Sequence, residues 1–180
     1  ILRAHAECAR EDVVPEKRDS YLDIVLKESD QMADLVSSLL ELARLESGLS
    51  LNLESVALAP LIKEVWESMA LSLEQKKIVL SMTLEDLWIE GDKGHLNKLV
   101  RNLATNALRH TPEGGLIRLT ARRSGPEFIV EVADSGPGVA GELRATLFER
   151  PSVLEPGAQS ASRGGLGLMI VRRMLLLHGG

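Results

Sequence analysis

Two asparagines one helical turn apart, Asn102 and Asn106, stand in a stretch whose apolar residues recur at helical spacing. On a helix over 96–110, Leu96, Leu99, Val100, Leu103 and Ala107 share one face, and Lys98, Asn102, Asn106 and Arg109 crowd one flank. Such a helix must bury its leucines while keeping two amides and two cations along an edge. Two more stretches follow in order: Asp134-Ser-Gly-Pro-Gly138, then Gly164-Gly-Leu-Gly-Leu168. The carboxylate of Asp134 can accept a hydrogen bond from an exocyclic amine, and glycine beside it lets the backbone approach a flat ring. The second stretch runs straight into a helix, where exposed amides and the positive helix end favour polyphosphate. It is neither a P-loop nor a dinucleotide fingerprint, because no Lys-Ser/Thr follows and the order of elements is wrong. Taken singly, each stretch also reads as a solvated flank or an ordinary turn. Their order and spacing together constrain the chain.

The rest of the sequence gives this constellation a setting. Pro15 to Ser47 reads as one long helix, with Leu22, Val25, Met32, Leu35, Val36, Leu39, Leu42 and Leu45 as its apolar stripe and Gly48 as its stop. Residues 1–10 read as the tail of an earlier helix. Two such helices cannot cover their own stripes, so a second helix pair is expected. After Gly48, alternation over Leu51–Val56 predicts a strand and Ala59–Gln75 a single amphipathic helix. Ile78–Leu84 and Leu87–Glu90 read as strands, and Asp92 is placed to cap the asparagine helix. Leu116–Arg122 and Phe128–Ala133 predict a hairpin about Ser124-Gly125-Pro126. A short helix near Glu142–Phe148 precedes a Pro-, Gly- and Ser-rich segment, and a last helix runs from Leu166 to Leu177. Helices mixed with antiparallel strands predict an α+β class: a helical hairpin over 1–48, then a two-layer α/β sandwich over 49–180.

Composition excludes several alternatives. An apolar share of 44% is ample for a core over 180 residues. A net charge of −5 argues against a nucleic-acid partner. The single cysteine, Cys8, rules out an internal disulfide and suits a reducing compartment. No apolar run approaches the roughly 20 residues of a membrane span.

The ordered trio resembles the nucleotide-binding module shared by sensor histidine kinases, type II topoisomerases, heat-shock chaperone ATPases and mismatch-repair ATPases. Leu39-Leu-Glu-Leu-Ala-Arg-Leu-Glu-Ser-Gly48 resembles the end of the second helix of a histidine kinase dimerisation domain. The likeness spans nearly the whole chain and narrows the choice to the histidine kinases. It implies ATP and Mg2+ as cofactors, with Asn106 on the metal, and Asn102 and Arg109 as catalytic groups near the phosphates. It implies a nucleotide pocket of Asn106, His110, Asp134, Gly136, Gly138, Phe148, Gly164, Gly165, Leu166 and Gly167, with Asp134 selecting adenine. The segment from Arg150 to Arg163 would then be a lid. The implied partners are a second copy of the chain, through residues 1–48, and the receiver domain of a response regulator. The location implied is the cytoplasm, with any membrane anchor in the parent protein.

Departures from that pattern are specific. Arg163 stands where the family usually has glycine, and Pro151 and Val153 stand where an aromatic and a basic residue are common. Asn102 stands where the topoisomerase-type hydrolases place a glutamate base, which argues against that branch. The acceptor motif, a histidine followed by an acidic residue and later a proline, is absent. His5 is followed by Ala6 and reads as a helix-surface histidine. The resemblance places the acceptor upstream of Ile1 and further strands after Gly180, so the expectation is a piece of a longer protein. Two functions follow: a kinase that phosphorylates a histidine, or a dimerising, nucleotide-sensing interaction module that has lost that activity.

Overall fold

The computed structural model describes residues 4, 6–8, 15–46, 51–139, 141–144, 147–148 and 165–180. The chain divides into two compact units, Ile1–Arg44 and Leu45–Gly180. His5, Gly48, Pro151, Val153, Arg163 and Gly164, with the whole expected lid, lie outside the described residues.

The first unit is dominated by helix α1, Pro15–Glu46, 32 residues long. Proline suits its first turn because the missing amide proton would have had no intrahelical partner there. The apolar stripe read from the sequence is only partly covered: Leu22, Met32, Val36 and Leu39 are between 42% and 56% exposed, Val25, Leu35 and Leu42 are half-buried, and Leu45 is fully buried. Among the described residues no helix is long and apolar enough to cross a membrane.

The second unit runs β1 (Glu54–Ala57), α2 (Leu58–Glu67), α3 (Ala70–Gln75), β2 (Val79–Leu84), β3 (Trp88–Gly91), α4 (Lys93–His110), β4 (Leu116–Ser124), β5 (Glu127–Asp134), α5 (Gly141–Arg144) and α6 (Gly165–Leu177). β1 pairs antiparallel with β3, setting Val56 against Ile89. A second sheet has the order β2-β4-β5. Along β4, Ile117, Leu119 and Ala121 point inward and are at most 1% exposed, while Arg118 and Arg122 face away. Over that inner face lie the apolar sides of three helices: Leu61, Ile62, Val65 and Trp66 of α2; Leu96, Leu99, Val100, Ala104 and Ala107 of α4; Ile170, Val171 and Met174 of α6. The result is the expected two-layer α+β arrangement, with α4 packed against both α2 and α6.

Three expectations need correction. The single helix over 59–75 is two. Ser68 Oγ donates to the Val65 carbonyl at 2.6 Å, and Met69 N–H turns back to the Trp66 carbonyl at 3.0 Å, so the α-helical ladder stops there. The strands are not all antiparallel. β2 and β4 run parallel, with Leu80 beside Ile117 and Met82 beside Leu119. The chain between them passes through α4, and a helical crossover returns the next strand in the same direction. The short helix expected near 142–148 does not reach its last residues, since Leu147-Phe148 form a turn. The β4–β5 hairpin closes where expected, pairing Ser124 with Glu127 around Gly125, whose φ of +62° glycine adopts without strain.

Candidate functional site

α4 is the spine of the site. Asp92 caps it: its Oδ1 accepts the His95 N–H at 3.0 Å, and its Oδ2 accepts the Asn52 N–H at 3.1 Å. Burial pushes the Asp92 carboxyl up, but these amides and the nearby His95 together hold it below the usual carboxylate range. Beyond the cap, five residues of α4 are no more than 7% exposed. Their burial fixes the rotation of the helix and leaves Asn102 and Asn106 half-buried at the edge, with Lys98 and Arg109 exposed.

α6 begins against that edge. A Cβ added at Gly167 would stand 3.2 Å from Asn102 Oδ1 and 3.8 Å from its Cγ. The Asn102 amide therefore lies at the first turn of α6, the end at which free backbone amides and the helix dipole attract negative charge. Gly165 opens the helix. Leu166 and Leu168 are 6% and 8% exposed and anchor that turn in the core.

The acidic turn meets the other end of α4. Asp134 is the last residue of β5, is exposed, and accepts the Gly136 N–H at 2.8 Å through Oδ1. A Cβ at Gly136 would come within 2.7 Å of the His110 carbonyl oxygen and 2.6 Å of Asp134 Oδ1. Only glycine fits so close to the helix terminus. Gly138 takes φ +72°. The three stretches are thus brought onto one helix, with the α6 start at Asn102 and the Asp134 turn at His110. At 1.5 Å per residue those positions are roughly 12 Å apart along the axis. That spacing suits an elongated ligand with a flat polar group at one end and anionic charge at the other.

The remaining predicted residues fall in different places. Arg109 lies two turns beyond Asn102 and lines a shallow groove of about 410 Å3 with Met69, Ser72, Gln75, Lys76, Thr105 and Leu108. Phe148 is 43% exposed in its turn after α5.

Sequence reasoning missed the residues that hold the end of α4. Lys76 Nζ donates to the carbonyls of Leu108 at 2.6 Å and Thr111 at 3.2 Å, neutralising the negative helix end beside His110. Thr111 is 1% exposed, and its Oγ1 donates to the Ala107 carbonyl at 2.7 Å. Ser135 Oγ accepts the Leu116 N–H at 2.9 Å, which prolongs the β4–β5 register into the acidic turn. A lysine 32 residues upstream of its carbonyl partner leaves no local signal.

Known proteins share this arrangement. The family described as "Histidine kinase-, DNA gyrase B-, and HSP90-like ATPase" matches residues 91–180. The "His Kinase A (phospho-acceptor) domain" matches residues 1–48. These two matches in sequence define a class: a phospho-acceptor helical region followed by an ATPase-type sandwich. The chain belongs to the sensor histidine kinases of two-component systems.

Among its relatives is the sensor protein SphS of Synechococcus elongatus, 35% identical over 99% of this chain and 46% of that protein. Among solved structures, full-length ShkA in complex with AMPPNP superposes with a TM-score of 0.71 at 30% identity, covering 99% of this chain and 38% of that one. The histidine kinase ThkA in complex with the response regulator TrrA gives a TM-score of 0.72 at 25% identity, covering 82% of this chain and 44% of that one. The chain therefore spans less than half the length of each of these three proteins.

Proposed function

We propose that the second unit binds ATP in the cleft along α4 and presents its terminal phosphoryl group to a histidine. The observation that carries this reading is the seating of both ends of the cleft on one helix, Gly167 against Asn102 and Gly136 against His110. Asp134, exposed at the strand end, receives the exocyclic amine of adenine. Gly136 and Gly138 let the backbone approach the ring, and His110 and Phe148 line it. The amides of Gly164, Gly165, Leu166 and Gly167 hold the phosphates at the positive end of α6. Leu166 contributes only its backbone, since its side chain is buried.

The residues present also fit magnesium. Among the described residues there is no group of three or more His, Cys, Asp and Glu that could hold a metal ion. A hard cation that keeps water and phosphate oxygens needs only one neutral oxygen from the protein, and the half-buried amide of Asn106 supplies it. Held there, such an ion would supply neutralisation of the negative charge on the phosphates. Asn102 orients the terminal phosphate, while Arg109, two turns away, contributes positive charge only at longer range, so catalysis is mostly positioning and neutralisation.

Residues 1–48 serve as dimerisation and phosphotransfer helices, and 49–180 as the catalytic domain. The exposed part of the α1 stripe supports a homodimer, since those leucines need a second helix pair. The ThkA–TrrA complex supports a response regulator as the partner that takes the phosphoryl group onto an aspartate. We place this part of the protein in the cytoplasm. The kinase reading is favoured over the interaction module, because the matches to known kinases run through both regions. The test uses the full-length protein and labelled ATP. Acid-labile, base-stable label that disappears in Asn106→Ala supports the kinase. Absence of label despite normal ATP affinity overturns it in favour of the interaction module.

A further inference from the structure

α6 is held against α4 at both ends, and only the end at Gly167 belongs to the cleft. At the other end, His178 follows Leu177, the last residue of α6. Its Nδ1 lies 2.7 Å from the Met174 carbonyl oxygen, and its Nε2 lies 3.0 Å from the Asp92 amide nitrogen. A carbonyl only accepts and a backbone amide only donates. Those two partners therefore fix the ring as neutral, with the proton on Nδ1 and the lone pair of Nε2 facing Asp92. Asp92 is also the residue that caps α4. One imidazole thus ties the last turn of α6 to the first residue before the asparagine helix. The ring has little room to shift, because a Cβ at Gly91 would stand 3.1 Å from His178 Cδ2 and 2.9 Å from Leu96 Cδ1.

We propose that His178 is a positioning residue for the nucleotide cleft. The bond that its ring accepts from the Asp92 N–H sets the register of α6 along α4 and so keeps Gly167 on Asn102, and loss of that bond loosens the helix and weakens nucleotide binding. The inference rests on the nucleotide reading of the Asn102–Gly167 contact. The Asp92 carboxylate oxygens accept from the His95 and Asn52 amides. The His95 ring meets His178 edge-on with centroids 6.3 Å apart, and its Nδ1 is 4.0 Å from Asp92 Oδ2. On α6 itself, Arg173 Nε is directed to the Leu45 carbonyl at 3.4 Å, and Arg172 is exposed. From β3 the neighbour is Gly91, with Glu90 exposed on the opposite face of the strand.

The test compares wild type, His178→Gln and His178→Leu as full-length proteins, with magnesium and AMPPNP as the probe. Glutamine can still accept the Asp92 N–H, and leucine cannot. Affinity is measured by calorimetry, and amide hydrogen exchange along α6 is followed without nucleotide. The expected result is equal affinity of wild type and His178→Gln. His178→Leu is expected to bind about fivefold more weakly than wild type while remaining folded by circular dichroism. Without nucleotide the amides of 166–170 should exchange faster in His178→Leu than in the other two proteins. Equal affinity of His178→Leu and wild type, or equal exchange in all three proteins, would overturn the proposal. Should no protein bind AMPPNP, the nucleotide reading fails by itself, and the exchange comparison still decides the role of His178 in holding α6.

Discussion

α1 and α4 are both amphipathic helices with leucines at helical spacing, yet their apolar faces end up in opposite surroundings. The inward residues of α4 are at most 7% exposed, whereas six apolar residues of α1 are at least 42% exposed. The difference lies in what each helix is given to pack on. α4 has β4 beneath it and α2 and α6 on its flanks, so its stripe closes a core within one chain. The exposed apolar residues of α1 have no such cover among the described residues. Periodicity alone therefore says that a face will be covered; it does not say by which chain.

Substitutions can break that contrast. The largest effect should come from the sheet under α4. Leu119 is fully buried, and Leu119→Ala should cost about 2–5 kcal/mol by chemical denaturation. A loss under about 1 kcal/mol would mean that the core is looser than its burial implies. Next comes Gly136→Ala, which sets a methyl group against the His110 carbonyl, a backbone atom unable to step aside. It should cost about 1–3 kcal/mol and weaken nucleotide binding as well. An alanine variant with unchanged stability would show that the end of α4 can move.

Asp92→Ala removes the cap and should cost about 1 kcal/mol near neutral pH. Its sign with pH follows from the lowered carboxyl. A group whose folded value lies below its unfolded value of 3.8 stabilises the fold fully above that value. The contribution is lost as pH falls below 3.8 through the folded value, so wild type and variant should converge in acid. A gap that widens below pH 4 would contradict the cap. The smallest effect on folding belongs to Leu39→Ala in α1, 54% exposed, which should change monomer stability by about 0.5 kcal/mol or less. Light scattering on the full-length protein should nevertheless show a weakened dimer. An unaltered dimer with polar residues at both Leu35 and Leu39 would remove the stripe from the interface.

Much of this is legible in the sequence. The apolar faces of α1 and α4, the Asp92 cap and the Gly125 turn are local signals, each carried by residues within a few positions of one another. Most of what escaped is non-local. A strand pattern of period two is the same in parallel and antiparallel pairs, so the β2–β4 direction depends on where the α4 crossover returns the chain. The break at Ser68 turned on a hydroxyl choosing a carbonyl three residues back, which a hydrophobic pattern does not register. In the cleft, the order of the three stretches pointed to one site, and Asn102 with Gly167 and His110 with Gly136 are in fact neighbours. Lys76 at the end of α4 and His178 on Asp92, 86 residues away in sequence, were invisible because only the folded chain brings them together.

The central claim is that α4 organises a cleft for Mg-ATP, with adenine at Asp134 and the metal at Asn106. Titration calorimetry of the full-length protein with AMPPNP, with and without magnesium, tests it directly. Wild type should bind more tightly with magnesium, Asp134→Asn should lose at least about tenfold in affinity in either condition, and Asn106→Asp should lose the magnesium enhancement. Undiminished, magnesium-enhanced binding in both variants would contradict the account.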